Sequence, residues 1–153
     1  MKPTMTVVNL AEFQGQLKKL DNAARGDALG RAAMAGGFVI ESYAKINANE
    51  QFSAQATNTL AGSIQTVLDK ASANHAEVSV GPSVVYGRIM ELGGWIRPVN
   101  AKFLHWIQDG IDVFAKAVYI PPRPYLRPAA DEHHDDIEKA VKASLWADIL
   151  RAL

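Results

Sequence analysis

The chain has 153 residues, 48% of them hydrophobic and 21% charged, and its sixteen lysines and arginines balance sixteen aspartates and glutamates. This length supports one domain with a real core, burying about 70% of the unfolded chain's surface. The absence of cysteine excludes a disulfide scaffold and thiolate metal sites, no run reaches the ~18 apolar residues of a membrane span, and neutrality argues against strong nonspecific nucleic-acid binding.

Met1-Lys2-Pro3 is followed by no long apolar run, so no secretory leader is expected. Leu10 to Leu20 reads as a short amphipathic helix, with Leu10, Phe13, Leu17 and Leu20 at helical spacing and Asn9 as N-cap. Asp21 to Asn49 reads as a longer helix, with Ala28, Ala32, Ala35, Val39, Tyr43 and Ile46 in one stripe. Gly26, Gly30, Gly36 and Gly37 lie inside it, although each costs about 1 kcal/mol relative to alanine. Such density of small residues predicts close approach of another backbone; a break at Gly36-Gly37 is the competing reading.

Phe52 to Asn58 is polar and aperiodic, an irregular connection. The period then becomes two. Ile64, Thr66 and Leu68 alternate with Gln65 and Val67, and Ala76, Val78 and Val80 with Glu77 and Ser79, while Lys70 to Asn74 supply a turn. This is the pattern of a half-buried antiparallel pair, ended by Gly81-Pro82. Val85 to Leu92 reads as one short helix closed by Gly93 as a left-handed cap. Trp95-Ile96-Arg97-Pro98 starts extended. The apolar runs Phe103–Ile107 and Val113–Ile120 flank Asp109-Gly110, a dipeptide favoured in tight turns, and predict a hairpin that extends the sheet and projects from it at about 94–120.

Ile120 to Ala130 holds four of the seven prolines. Proline fixes φ and removes a donor, so this segment is a stiff extended connector that delivers Tyr125 and Leu126 to a set place. Pro128 suits the first turn of a last helix, Pro128 to Leu150, with Asp131 and Glu132 where its dipole favours negative charge. Ile137, Val141, Leu145 and Ile149 form the stripe of that helix and Trp146 widens it. The fold expected is a single α+β domain over 1–153: a small antiparallel sheet with a projecting hairpin, packed against a long N-terminal helix and a C-terminal helix.

Three segments, taken in order, resemble the tail-completion or head–tail joining proteins of long-tailed bacteriophages. They are Thr59-Leu60-Ala61-Gly62-Ser63-Ile64; Tyr86, Glu91 and Gly93 in Tyr86–Gly94; and Arg123-Pro124-Tyr125-Leu126 with Pro128 and Ala129. Gly87 stands where that family usually has alanine and Tyr125 where it has phenylalanine. The likeness covers residues 57 to 140. It implies a structural, non-enzymatic protein without cofactors, located in the virion at the neck or head-proximal tail end and in the host cytoplasm during assembly. It also implies a hexameric ring of the chain's own copies, which meets the tail terminator or tail-tube protein on one side and head-completion or portal-side proteins on the other. DNA at most passes through such a ring, and no membrane is involved. A tail terminator, a minor capsid component or a DNA-contacting channel protein are the alternatives. Docking would use Trp95, Arg97, Phe103, Trp106, Phe114 and Tyr119, residue types expected at hot spots; their other reading is core of the small sheet.

Nothing in the chain reads as a catalytic motif. No serine lies in Gly-x-Ser-x-Gly, no phosphate-binding glycine loop is present, and Arg25-Gly26-Asp27 falls where helix is expected. Glu132-His133-His134-Asp135-Asp136 mimics a metal site, but consecutive helical residues diverge by about 100°, so it reads as a hydrated face. His75 and His105 are isolated and read as structural. Pro121-Pro122-Arg123-Pro124 could mimic a polyproline ligand, but its position between strand and helix favours a scaffold. Charge is segregated. Pro82–Arg127 carries six bases (Arg88, Arg97, Lys102, Lys116, Arg123, Arg127) against Glu91, Asp109 and Asp112, whereas Pro128–Leu153 carries six acids against three bases. A solvated surface with local ion pairs accounts for this, and pairing between neighbouring copies is compatible with it.

Overall fold

Small residues decide how the long helix packs. The computed structural model describes residues 27–52, 59–72 and 74–152, together with Gly15 and Lys18. Its elements are α1 (Asp27–Phe52), α2 (Thr59–Ser63), β1 (Ile64–Ala71), β2 (Ala76–Pro82), α3 (Gly87–Leu92), β3 (Gly94–Ile96), β4 (Leu104–Gln108), β5 (Ile111–Ala115), β6 (Val118–Ile120), α4 (Leu126–Asp131) and α5 (His134–Ala152). The fold class is α+β, as the two periodicities predict. The Leu10–Leu20 helix, the start of the long helix at 21–26 and all of the Phe52–Asn58 connection except Phe52 lie outside the described residues, apart from helical Gly15 and Lys18; Phe52, expected in that connection, is the last residue of α1. The chain packs as two compact units: Met1–Ile40, Thr66–Val80 and His133–Leu153 make one, Glu41–Gln65 and Gly81–Glu132 the other.

In the first unit, α1 runs unbroken through Gly36-Gly37. These glycines mark close approach rather than a break. A Cβ on Gly36 would lie 2.9 Å from Val141 Cγ2 and 3.3 Å from Ile137 Cγ2, and one on Gly37 would collide with Thr66 Cγ2. Ala28 and Ala32 are buried on the same helix, so β1 and α5 both come nearer to it than larger residues would permit. The ends of α1 and α5 are tied by Arg31, whose Nε donates to Asp148 Oδ2 at 3.0 Å, while Arg151 Nη1 reaches Asp148 Oδ1 at 3.4 Å. Asp148 is therefore a buried, paired carboxylate and not part of a hydrated acidic face. Trp146 does not widen the inward stripe of α5. It follows Leu145 by one residue, about 100° around the helix, and is 62% exposed.

The last helix is two helices. Leu126–Asp131 closes with the Glu132 amide donating to Pro128 O at 3.0 Å, and the His133 carbonyl then accepts from Asp136 N and Ile137 N to start α5. Pro128 sits in the first turn of α4, where its missing N–H costs nothing. Asp131 and Glu132 consequently lie at a helix C-terminus, not at the favourable N-terminus, and Asp135 and Asp136 take the first turn of α5 instead.

The second unit buries Ala44 and Ala48 of α1, Leu60, Ala61, Ser63, Ile64, Gly87, Tyr125 and Ala129. Among the described residues the β-pairing is antiparallel and falls into three two-stranded ladders, β1–β2, β3–β6 and β4–β5. Val113–Ile120 is thus not one strand: it splits at Lys116-Ala117, and its second half pairs with Gly94–Ile96. The arm at 94–120 has a base (β3–β6) and an outer ladder (β4–β5), and neither is hydrogen-bonded to the β1–β2 pair that it was expected to extend. Asp109 (φ 51°) and Gly110 (φ 80°) form its two-residue turn, the geometry that Asp-Gly favours.

Gly37→Ala is expected to destabilise the protein by about 1–3 kcal/mol through overpacking, despite the helix propensity it gains. Thr66→Ser, which removes Cγ2, is expected to restore the loss in the double variant. Urea denaturation of the four proteins checks this; a Gly37→Ala variant as stable as the parent refutes the close-approach account.

Candidate functional site

Tyr86–Gly94 and Arg123–Ala129, two of the three segments singled out in the sequence, are far apart in the chain and are joined by one carboxylate. Glu91 stands near the end of α3, and its side chain accepts three backbone hydrogen bonds: from Tyr125 N at 2.7 Å and Leu126 N at 2.9 Å on Oε2, and from Arg127 N at 3.1 Å on Oε1. These amides open α4 and have no intrahelical acceptor, so an anion is the favoured partner there. Tyr125 carries no side-chain cap of its own. Glu91 supplies the cap from another element.

Tyr125 fills the space beneath this cap. It is fully buried, its Oη donates to the Gly87 carbonyl at 3.2 Å, and its ring meets Phe52 edge-on at 6.4 Å. Burial pushes its phenol up to about 12, with the negative charge of Glu91 and then Tyr86 adding to the effect. Gly87 has to be glycine-sized, since a Cβ would sit 2.8 Å from Pro82 Cβ and 3.2 Å from Tyr125 Oη. Gly93 has φ 68° and ψ 175°, a conformation open essentially to glycine alone and different from the left-handed cap expected. A Cβ there would lie 2.7 Å from Pro122 N and 2.9 Å from Ile120 O.

The connector is held from both sides. Arg123 N donates to Met90 O at 2.9 Å, Asn47 Nδ2 to Tyr125 O at 3.1 Å and Gln51 Nε2 to Pro124 O at 2.7 Å, while the Arg123 guanidinium lies 5.7 Å over the Phe52 ring. Tyr86, Glu91, Gly93, Arg123, Pro124, Tyr125, Leu126 and Pro128 therefore belong to one joint. Asn47, Gln51 and Phe52 complete it, and their signal in the sequence is slight: two amide side chains four residues apart on an alanine-rich helix. The contacts of the joint are backbone and side-chain hydrogen bonds and ring packing.

Of the docking residues expected, Trp95, Arg97, Phe103, Phe114 and Tyr119 are exposed, and Trp106 is half-buried on the opposite face of the outer ladder. Trp95 packs on Tyr119 across the base ladder at 5.4 Å. Phe114 stacks on His105 at 4.7 Å, and His105 Nε2 is 2.6 Å from Asp112 Oδ1. Core is thus the wrong reading for the five exposed residues. Val99, Ile107 and Ile111 add apolar surface that the sequence reading did not select. In the Glu132–Asp136 cluster Lys139 Nζ pairs with Asp136 at 3.2 Å, and among the described residues no three His, Asp or Glu side chains converge to hold a metal ion. No described helix is long and apolar enough to cross a membrane.

In comparisons with known proteins, no family model, curated protein or solved structure matches this chain.

Glu91→Gln is expected to lower stability by about 1.5–3 kcal/mol, the scale of hydrogen bonds to a charged group, and Tyr125→Ala by about 3 kcal/mol, as for other buried aromatics. Thermal unfolding checks both; an unchanged midpoint for Glu91→Gln removes the cap from the account. The raised phenol also sets an alkaline limit. An unfolded tyrosine ionises near pH 10 and the folded one near 12, so the stability linked to the neutral phenol is complete below pH 10 and is lost as pH rises towards 12. Tyr125→Phe is expected to flatten that decline in an alkaline series of urea melts; an equally steep decline contradicts it.

Proposed function

We propose that this chain is a structural virion-assembly protein that completes the head-proximal end of a phage tail and helps join tail to head. Two things support the reading: the ordered likeness of its three segments to that family, and the way those segments are used. The observation that carries it is the division between a rigid joint and an open arm. The joint satisfies every amide at the start of α4 with Glu91 and buries Tyr125. The arm exposes Trp95, Phe103, Ile107, Ile111, Phe114 and Tyr119, more large apolar surface on two short ladders than a solitary hairpin needs.

In this role the arm is the docking element and the joint fixes where it points. Copies of the chain form a ring at the tail end, in the virion and beforehand in the host cytoplasm, against tail-side and head-side partners. The activity is binding, and no catalytic group takes part.

Replacing Ile107–Asp112 by Asn-Gly tests this. It shortens the outer ladder to its first three pairs, ending at Trp106↔Val113, and supplies a turn of the same class. The expected result is unchanged thermal unfolding with loss of joined heads and tails in a complementation assay scored by electron microscopy. Normal joining by a folded variant refutes the role of the arm.

A further inference from the structure

The register of the arm gathers three cations that no acid answers. Ile96 pairs with Val118 and Leu104 with Ala115, so between the two ladders the seven residues 97–103 stand opposite only Lys116 and Ala117. Arg97 directly follows the base pair, Lys102 lies two residues before the outer ladder, and Lys116 directly follows Ala115. All three are exposed, and among the described residues none has an ion-pair partner. The arm's own acids are remote or engaged. Asp112 is four strand positions from Lys116, roughly 13 Å at 3.3 Å per residue, beyond a Debye length of ~8 Å, and it faces His105; Asp109 is further out, in the tip turn. The waist of the arm is a local excess of positive charge on a neutral chain.

Aromatic faces border the same waist. Trp95 and Tyr119 form the central pair of the base ladder and remain 63% and 51% exposed despite packing on each other, and Phe103, beside Lys102, is 46% exposed. Cations interleaved with open aromatic rings are the two components of a single-strand nucleic-acid surface: the cations follow the phosphates and unstacked bases lie on the rings. A protein partner would need an acidic, aromatic-binding face. A duplex would use the cations and leave the rings idle, since its bases are already stacked.

We infer that the waist of the arm, formed by Arg97, Lys102 and Lys116 with Trp95, Phe103 and Tyr119, binds single-stranded nucleic acid. This goes beyond the docking role and does not depend on it. With three phosphate contacts, the affinity falls with salt with a log–log slope of about −2. Overall neutrality limits the strength of such binding without removing the site, because screening makes the local charge decisive.

The test is fluorescence anisotropy of a labelled oligothymidylate of about 15 nucleotides, titrated with the full chain at several salt concentrations. The expected results are binding at low salt with the slope above, a loss of at least tenfold in Arg97→Gln/Lys102→Gln/Lys116→Gln, and a several-fold loss in Trp95→Ala for the single strand only. Lys139→Gln/Lys142→Gln, which removes two bases from α5, should bind as the parent does. Circular dichroism melts of the charge variants should coincide with the parent, because those side chains are exposed, and Trp95→Ala, which loses the cross-strand packing on Tyr119, is compared at a temperature where its melt shows it folded; for any variant that does not fold, single substitutions at the same positions carry the comparison. Absence of binding at low salt overturns the inference, as does equal weakening by the α5 control, or a Trp95→Ala variant that binds as the parent does. Complementation separates this from the assembly role: if the triple variant loses head–tail joining yet binds the oligonucleotide normally, the cations serve protein docking and the inference fails while the assembly reading stands.

Discussion

One carboxylate organises the second unit. Without Glu91, the amides of Tyr125, Leu126 and Arg127 would begin a helix in a half-buried place with no acceptor, and each unmet buried donor costs about 1–3 kcal/mol. Glu91 stands at the unfavourable end of its own helix dipole and at the favourable end of α4's. Because one side chain caps a helix that follows more than thirty residues later, the whole arm is spanned by the interaction: both of its roots, Gly93-Gly94 and Ile120–Pro122, are fixed within a few residues of the cap. The prolines then matter in a particular way. They cut the conformational freedom of the segment that must reach Glu91, so less entropy is lost when the amides meet it.

The first unit rests on a different device, the removal of side chains. Gly36 and Gly37 weaken α1 as an isolated helix, yet they let β1 and α5 approach it. Propensity loses to packing here, a common outcome when a helix is stabilised by its buried face rather than by its own backbone. The Arg31–Asp148 pair adds direction more than stability, since Arg31 is half open to solvent.

How much of this could be read from the sequence varies with the range of the forces involved. Local features were plain: Asp109-Gly110 encodes its own turn, and alternation over Ile64–Leu68 and Ala76–Val80 encodes the first ladder. The break between Asp131 and His134 was invisible, because no proline or glycine marks it; it coincides with the passage of the chain from one unit to the other. The split of Val113–Ile120 was hidden for a related reason. Its cause lies on the partner strand, where seven residues including Pro98, which cannot donate to a ladder, oppose two. In the sequence Glu91 is one position of a motif, and nothing local assigns it a role. Only the fold shows that its partners are backbone amides, which leave no trace in side-chain chemistry. The burial of Asp148 was illegible too, since its partner Arg31 lies 117 positions away.

The tip turn has a consequence for how such an arm can change length. A two-residue turn of this kind closes on a cross-strand pair of one hydrogen-bonding type, and pair types alternate along an antiparallel ladder. Growth at Asp109-Gly110 therefore has to come as two residues on each strand, which also returns every side chain to its original face. Each such step adds about 7 Å of reach and leaves Glu91, Gly93 and Tyr125 untouched. Descendants of this chain can measure out different gaps in fixed increments, like a ruler cut at one end only.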